Sequence, residues 1–199
     1  HAKMGDTMPS NLMDSVRERT TQALASGDLQ PIETGQVILH QSGLPFVVRW
    51  AAALAAKDAA TKEDPDDTDV VLPGGPRDPD FNPFLNPDPE LTIGPVGAQH
   101  TIILNKFPVC LHHLVLARRE FAEQLSPLEE SDFLALAEVL SGNGGLGFYN
   151  GGTAAGASQR HKHVQWIPAS PDNPSLQPLS AQLPAQDATT GMLRHPLLP

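Results

Sequence analysis

The sequence predicts an α+β domain built on an antiparallel sheet, and three observations point there. Short runs rich in apolar and β-branched residues are joined by short links, which suits antiparallel neighbours better than parallel crossovers. Two segments carry helical spacing with recognisable ends. Long proline-rich stretches separate the ordered parts, and proline removes the amide donors that a regular sheet needs.

Taken in order, residues 1–10 read as a flexible N-terminus or a tag remnant. Asn11 to Ser26 is the first expected helix, with Leu12, Val16, Ala23 and Leu24 close to one face and Gly27-Asp28 closing it. Gln36–His40 and Leu44–Trp50 read as strands around a turn at Gly43–Pro45, and alanine-rich Ala51–Ala60 as a short helix carrying Lys57. Thr61 to Pro95 reads as loop, with acid runs, Pro73-Gly-Gly-Pro76 and Asn82-Pro-Phe-Leu-Asn-Pro-Asp-Pro89. Strands are expected at His100–Asn105 and His112–Arg118, with Lys106–Leu111 turning between them. Ser126-Pro-Leu-Glu129 has the form of a capping box with proline at the first helical position. The helix it starts is expected to bury Phe133, Leu136, Ala137 and Leu140 and to stop near Gly142. A strand at Leu146–Tyr149, a glycine-rich loop at Asn150–Gly156 and a last strand at His161–Ile167 complete a domain over residues 11–168. Residues 169–199 are proline-rich and aperiodic, as expected of an extended tail.

Composition narrows the function classes. The chain has 199 residues, 40% of them hydrophobic, which suits one domain with a core and extensions. No run approaches the roughly 18 apolar residues of a membrane span, and the first residues lack the apolar core of a signal peptide. The single cysteine, Cys110, excludes an internal disulfide and a paired-cysteine zinc site, and its apolar turn suggests inert packing. A soluble cytoplasmic protein with no membrane partner is the expectation. A net charge of −10 argues against a general nucleic-acid binder, although a small phosphorylated substrate needs only a local cluster of donors. The acid is unevenly spread: Lys57 to Glu90 holds ten carboxylates, whereas Asn143 to Pro168 holds none and carries Arg160 and Lys162.

That least acidic stretch holds the informative residues. In a strand, His161, His163 and Gln165 share one face while Lys162, Val164 and Trp166 take the other. Three hydrogen-bonding side chains in a row are costly to bury without partners, so such a row is either solvent-facing or a site. The approach to it carries Gly151, Gly152 and Gly156 among small residues, and such a loop lets backbone amides come close to an anion. Neutral imidazole is a nucleophile, and attack on phosphorus would split one transfer into two steps through a phosphoramidate. Gln165 cannot titrate, so it can donate a hydrogen bond to a phosphoryl oxygen but cannot act as a general acid. Two histidines at i and i+2 are also a fragment of a metal site, but no third ligand lies nearby in the sequence, so no metal is expected on them. A polar surface strand remains the plain alternative for His-Lys-His-Val-Gln taken alone.

The stretch Gly151-Gly-Thr-Ala-Ala-Gly-Ala-Ser-Gln-Arg-His-Lys-His-Val-Gln165 closely resembles the motif of diadenosine tetraphosphate phosphorylases, also called ATP adenylyltransferases. These belong to the histidine-triad-like superfamily together with galactose-1-phosphate uridylyltransferases. Phe81-Asn-Pro-Phe-Leu85, Asp88-Pro-Glu-Leu91, Leu104-Asn-Lys-Phe-Pro108, His112-His-Leu-Val-Leu116 and Phe148-Tyr-Asn150 extend the likeness over about residues 35–168. The resemblance implies a histidine-triad-like sheet flanked by helices. It also implies a two-step reaction, in which a histidine takes AMP from a dinucleoside polyphosphate, ATP leaves, and inorganic phosphate collects the AMP as ADP. By motif position His163 would be the nucleophile and His161 its supporting histidine, with Gln165 in the place of a third histidine. Ser158, Gln159, Gly156 and Asn150 would hold phosphate or nucleotide. Asn105 would stand near the ribose or simply cap its turn, His113 would be buried, and Lys57 would reach the polyphosphate. His40 and His100 are expected to be structural, and of His112 and His113 one should be exposed. No tightly bound cofactor is implied; Mg²⁺ would accompany the polyphosphate. Family members run on into a further strand-containing region, so this chain is expected to be a fragment, a short variant or one half of a split enzyme. Two other readings stay open: a hydrolase or uridylyltransferase of the same superfamily, and a nucleotide-binding module needing a second chain.

Overall fold

The computed structural model describes residues 11–41, 44–51 and 81–169. The chain divides into two compact units, one holding a five-stranded sheet with two helices and the other a two-stranded hairpin. Ala51, expected to start a helix, ends a strand instead; the rest of that expected helix, Lys57, most of the acidic loop, and the two terminal stretches 1–10 and 170–199 lie outside the described residues.

The hairpin pairs β1 (Thr34–Gln41) with β2 (Leu44–Ala51), antiparallel from Thr34 opposite Ala51 to Gln41 opposite Leu44. Gly35 faces Trp50, and a Cβ at Gly35 would lie 2.4 Å from the indole, so the glycine makes room for the ring.

In the larger unit, α1 (Leu12–Ser26) begins at Asn11, whose side chain accepts from the Asp14 amide, and ends at Gly27 with φ 84°. Only glycine enters that left-handed region without strain. Its buried residues are Leu12, Val16, Thr20 and Ala23; Leu24, expected on this face, is exposed because the 3.6-residue period carries it round to solvent.

The sheet has the order β3-β4-β5-β7-β6 and every pairing is antiparallel. Its strands are β3 (Thr92–Val96), β4 (His100–Leu104), β5 (Leu114–Arg118), β6 (Leu146–Phe148) and β7 (His163–Ile167). β3 corrects the reading of 61–95 as loop throughout. Proline argues against a regular strand, but β3 is an edge strand, where the amide missing at Pro95 is tolerated, and its register shifts between Thr92 and Gly94. The strand expected from His112 starts at Leu114 because His112 adopts φ 61° in the turn.

The register sorts side chains onto two faces. His100, Ile102 and Leu104 stand opposite Arg118, Leu116 and Leu114, and Leu116 and Leu114 stand opposite Val164 and Trp166. This face packs against α2 (Glu130–Asn143), and burying its apolar rows supplies most of the core. Helix α2 departs from expectation at both its start and its face. It begins at Glu130 rather than Pro127, because the Pro127 carbonyl is taken by Lys162 and the Asp132 carboxylate accepts from the Glu129 amide at 2.8 Å. Asp132, Ala135 and Val139 face inward, with Leu136 and Leu140 partly buried, so the expected face is turned by about one residue. Phe133 and Ala137 are exposed.

Candidate active site

The other face of the sheet carries His163 opposite Ala117, and Gln165 between Val115 and Phe148. Both are buried, as is His161, which precedes the strand and pairs in a single bridge with Glu123. The expected strand start at His161 therefore moves to His163. The row is no exposed polar surface, and each member has a partner.

His163 Nδ1 lies 2.8 Å from the His161 carbonyl oxygen. A carbonyl only accepts, so Nδ1 carries the proton and Nε2 is left with a lone pair. His161 supports its neighbour through the main chain. Its own Nε2 lies 2.7 Å from the Arg118 carbonyl and so donates, while Nδ1 accepts from Asn82 Nδ2 at 3.0 Å. Asn82 is oriented in turn by the amides of Phe84 and Leu85, which its Oδ1 accepts at 3.0 and 3.3 Å. Phe84 stands against both histidine rings, 5.8 Å from His161 and 5.0 Å from His163 between centroids. Phe121 meets His161 edge-on at 5.5 Å.

Gln165 is oriented by a relay that begins at a backbone amide. The Phe107 N–H can only donate, and Asn105 Oδ1 accepts it at 3.1 Å. Asn105 therefore turns Nδ2 toward His113 Nδ1, 3.3 Å away, which accepts. His113 Nε2 then carries the proton and donates to Gln165 Oε1 at 2.8 Å. With Oε1 occupied, Gln165 can offer only its NH₂. Burial holds His113 neutral, its pKa lowered to about 4, with the Gln165 bond opposing and the neighbouring His163 assisting. Burial also lowers His163, against the bond to His161, and lowers His161, against the bond to Arg118. The site is therefore a set of neutral imidazoles, each held in one tautomer.

The glycine-rich loop closes on itself. The amides of Gly152, Ala155, Gly156 and Ala157 donate to carbonyls within residues 150–153, around a 3₁₀ turn at Thr153–Ala155. Gly156 has φ 90° and lies under Asn150, whose Nδ2 would be 3.7 Å from an added Cβ, so its place is set by backbone conformation. Ser158 is exposed and Gln159 half-buried on the way to His161. Asn105 both caps its turn and reaches His113. His113 is buried and His112 half-buried, while Cys110 is half-buried and not in a disulfide. His100 sits on the α2 face, bonded to Asp132 at 2.9 Å, and has the structural role expected of it.

Sequence reasoning missed Gln124. Its Oε1 accepts from the His163 amide at 2.8 Å, and its Nε2 donates to the carbonyls of His163 at 3.1 Å and Asn150 at 2.8 Å. A buried glutamine outside any periodic element leaves no sequence signal. Asn82 had one, since Asn-Pro before aromatic residues marks a turn closed by the asparagine side chain. Among the described residues no group of three or more His, Cys, Asp or Glu is placed to hold a metal ion, and no helix is long and apolar enough to cross a membrane.

The chain is 30% identical over 171 residues to diadenosine 5′,5‴-P1,P4-tetraphosphate phosphorylase 2 of Saccharomyces cerevisiae, covering 78% of this chain and 49% of that protein. It is 27% identical over 173 residues to Protein APA1 of the same yeast, covering 80% and 50%. It thus spans about half the length of the curated relatives it matches. The crystal structure of yeast Ap4A phosphorylase Apa2 in complex with Ap4A superposes with a TM-score of 0.62 at 27% identity, over 82% of this chain and 53% of that one. The complex of the same protein with AMP gives 0.61 at 27% identity, over 82% and 52%. The family model described as Ap4A phosphorylase N-terminal domain matches residues 2–188. The chain belongs to the Ap4A phosphorylase N-terminal domain family.

Proposed function

We propose that this chain moves an adenylyl group from diadenosine tetraphosphate to inorganic phosphate, yielding ATP and ADP, through adenylyl-His163. The observation carrying the reading is the bond from His163 Nδ1 to the His161 carbonyl, which leaves Nε2 as a fixed nucleophile, with Gln165 two residues along the same strand. The yeast relative solved with Ap4A and with AMP supports the substrate class. In this reading the domain is histidine-triad-like, with Gln165 in the third position.

The Nε2 lone pair attacks the α-phosphorus, an N–P bond forms, and the bond to the bridging oxygen breaks, so ATP departs with that electron pair. Its leaving oxygen is part of a phosphate and stabilises the charge itself, so no general acid is required. The ring becomes an imidazolium whose Nδ1–H already faces a carbonyl, and that hydrogen bond strengthens as the charge forms. The Gln165 NH₂ donates to a phosphoryl oxygen. Phosphate then attacks as an anion, the N–P bond breaks, ADP leaves and neutral His163 returns. Water would need a base to lose its proton, and neither Gln165 nor the engaged His161 ring supplies one. Ser158, Gln159, Asn150 and the loop at Gly156 would border the phosphates. Asn105 contributes through His113, and Mg²⁺ would enter as counter-ion of the polyphosphate.

Product analysis tests the reaction. Diadenosine tetraphosphate with added phosphate is expected to give ATP and ADP in equal amounts; without phosphate the reaction should stop at one ATP and one adenylyl label per chain, with no ADP. AMP released without phosphate would replace transfer by hydrolysis, and binding without turnover would assign catalysis to a chain that includes the rest of the relatives' length.

Acid should act late on the first step. Burial lowers the His163 pKa, so the neutral nucleophile persists below pH 6.5. The rate of adenylyl labelling is expected to fall in acid with a midpoint below pH 6.5. Labelling reads this more cleanly than turnover, because free phosphate titrates in the same range. A midpoint at or above 6.5 would contradict the buried, neutral ring.

A further inference from the structure

We infer that Gln124 is a positioning residue, whose side-chain amide splices the sheet beside His163 where the backbone ladder is interrupted. The inference rests on reading His163 as the reacting histidine.

On one side β7 is paired continuously with β5, with His163 opposite Ala117. The other side is assembled from three pieces. Ahead of the strand, the segment 122–124 pairs through its backbone: Lys162 N donates to Ala122 O at 2.8 Å, and Gln124 N donates to Arg160 O at 2.7 Å. Beyond the site, β6 pairs with Gln165 to Ile167. Continuing that register from Phe148 opposite Gln165 would bring Asn150 opposite His163, but no backbone bond joins those two. The Gln124 amide occupies the gap. Oε1 takes the His163 amide at 2.8 Å, and Nε2 is shared between the carbonyls of His163 at 3.1 Å and Asn150 at 2.8 Å.

Two consequences follow. The backbone of His163 is satisfied in a buried place without a neighbouring strand, so the chain can leave the sheet at Asn150 and form the glycine-rich loop beside the nucleophile. One side chain also sets the spacing between that loop and His163. Gln124 is itself buried, and its carbonyl shares the single Tyr149 hydroxyl proton with Ser126 O, which lies 3.0 Å from that hydroxyl. An amide is needed because the same group must accept once and donate twice. A carboxylate only accepts, and a thioether of the same length is a weak acceptor and no donor.

The test uses the full chain with ¹⁵N-labelled histidine, comparing wild type with Gln124→Met and Gln124→Glu. In wild type, His163 should show one tautomer, protonated at Nδ1, and a pKa below 6.5. In Gln124→Met its signals should shift to mixed tautomers with the pKa moved toward 6.5, while His100 on the opposite face keeps its own. kcat with diadenosine tetraphosphate and phosphate should fall about ten- to a hundredfold with little change in KM. Gln124→Glu keeps the acceptor for the His163 amide and should fall between the two; it decides the matter if Gln124→Met does not fold. Unchanged His163 tautomer and pKa in the folded variants would overturn the inference whatever the rates. If wild type forms neither products nor protein label, the catalytic reading falls, and the histidine signals still decide whether Gln124 holds His163.

Discussion

Replacing His163 by alanine is expected to lower adenylyl transfer by about four to six decades and to abolish protein-bound label, because in the proposed reaction His163 carries the intermediate. The label is read by incubating with labelled diadenosine tetraphosphate, denaturing in alkali, and releasing the nucleotide in acid, since a phosphoramidate survives the first and not the second. Label persisting in His163→Ala would move the nucleophile elsewhere, and wild type unlabelled during turnover would remove the covalent step. The neighbouring substitutions should be graded. Gln165→Ala is expected to cost about one to three decades, as for loss of one donor to a developing oxyanion. His161→Ala should also fall short of the His163 loss, because His161 contacts the nucleophile through its main-chain carbonyl, which alanine retains. Its ring secures Asn82 and the Arg118 carbonyl, so the variant disturbs placement and not reactivity. If His161→Ala were as inactive as His163→Ala and also unlabelled, the ring of His161 would have to act directly.

How far this site was legible depends on where its information lies. The period-two row of His161, His163 and Gln165 could be read because a strand alternates faces whatever surrounds it. The opposite face could be read by the same rule, and Lys162, Val164 and Trp166 do point to α2. The tautomers could not be read. They are dictated by contacts that exist only once the chain is folded, some distant in sequence, such as Asn82 on His161 and His113 on Gln165, and some close, such as the His161 carbonyl on His163 and the Phe107 amide on Asn105. Gln124 was invisible for the same reason, since its value lies in a gap between two strands that only the assembled sheet defines.

The fold divides in a similar way. Elements with a strong local period, α1 and the strands at 100 and 114, stand where their patterns put them, within a residue or two. β3 was hidden by Pro95, whose cost vanishes at a sheet edge, and an edge is a property of the finished sheet. The face of α2 was misread because an apolar count favours Phe133 over Asp132. The helix is instead rotated so that the carboxylate meets Lys162 and His100 inside, leaving Phe133 in solvent. Electrostatic pairing across the core, which no helical periodicity reports, decided the orientation.

That pairing yields the second large expected effect. Asp132→Ala should destabilise the protein by about 3–5 kcal/mol, the cost of leaving a buried charge without its partner. Asp132 accepts from the Glu129 amide at 2.8 Å and from His100 at 2.9 Å, with Lys162 Nζ at 3.2 Å and Arg118 at 3.6 Å. Removing it strands the fully buried Lys162 ammonium with the Pro127 carbonyl and Glu129, 3.8 Å away. The melting temperature should drop by roughly 10 °C. Adding Lys162→Met should restore much of the loss, because a buried pair replaced by apolar groups is often neutral. Additive losses in the double variant would show that the two side chains do not act as a pair. The pH dependence separates this pair from the histidines. Burial alone would raise the Asp132 pKa, but the bonds from Glu129, His100 and Lys162 outweigh it and hold the pKa below 3.8. Its stabilisation is therefore complete above the unfolded value and lost as pH falls through the lower folded one. The buried histidines have lowered pKa values, so the unfolded chain binds their protons first and stability falls as pH drops from 6.5; for His113 that loss continues to about pH 4. Asp132 also raises the His100 pKa against its burial, so the Asp132→Ala melting curve should decline at least as steeply as wild type below pH 6.5, and the two should converge only in stronger acid as Asp132 is protonated in the wild type. Convergence already at pH 6 would show that the histidines, and not the carboxylate, hold α2 against the nucleophile strand.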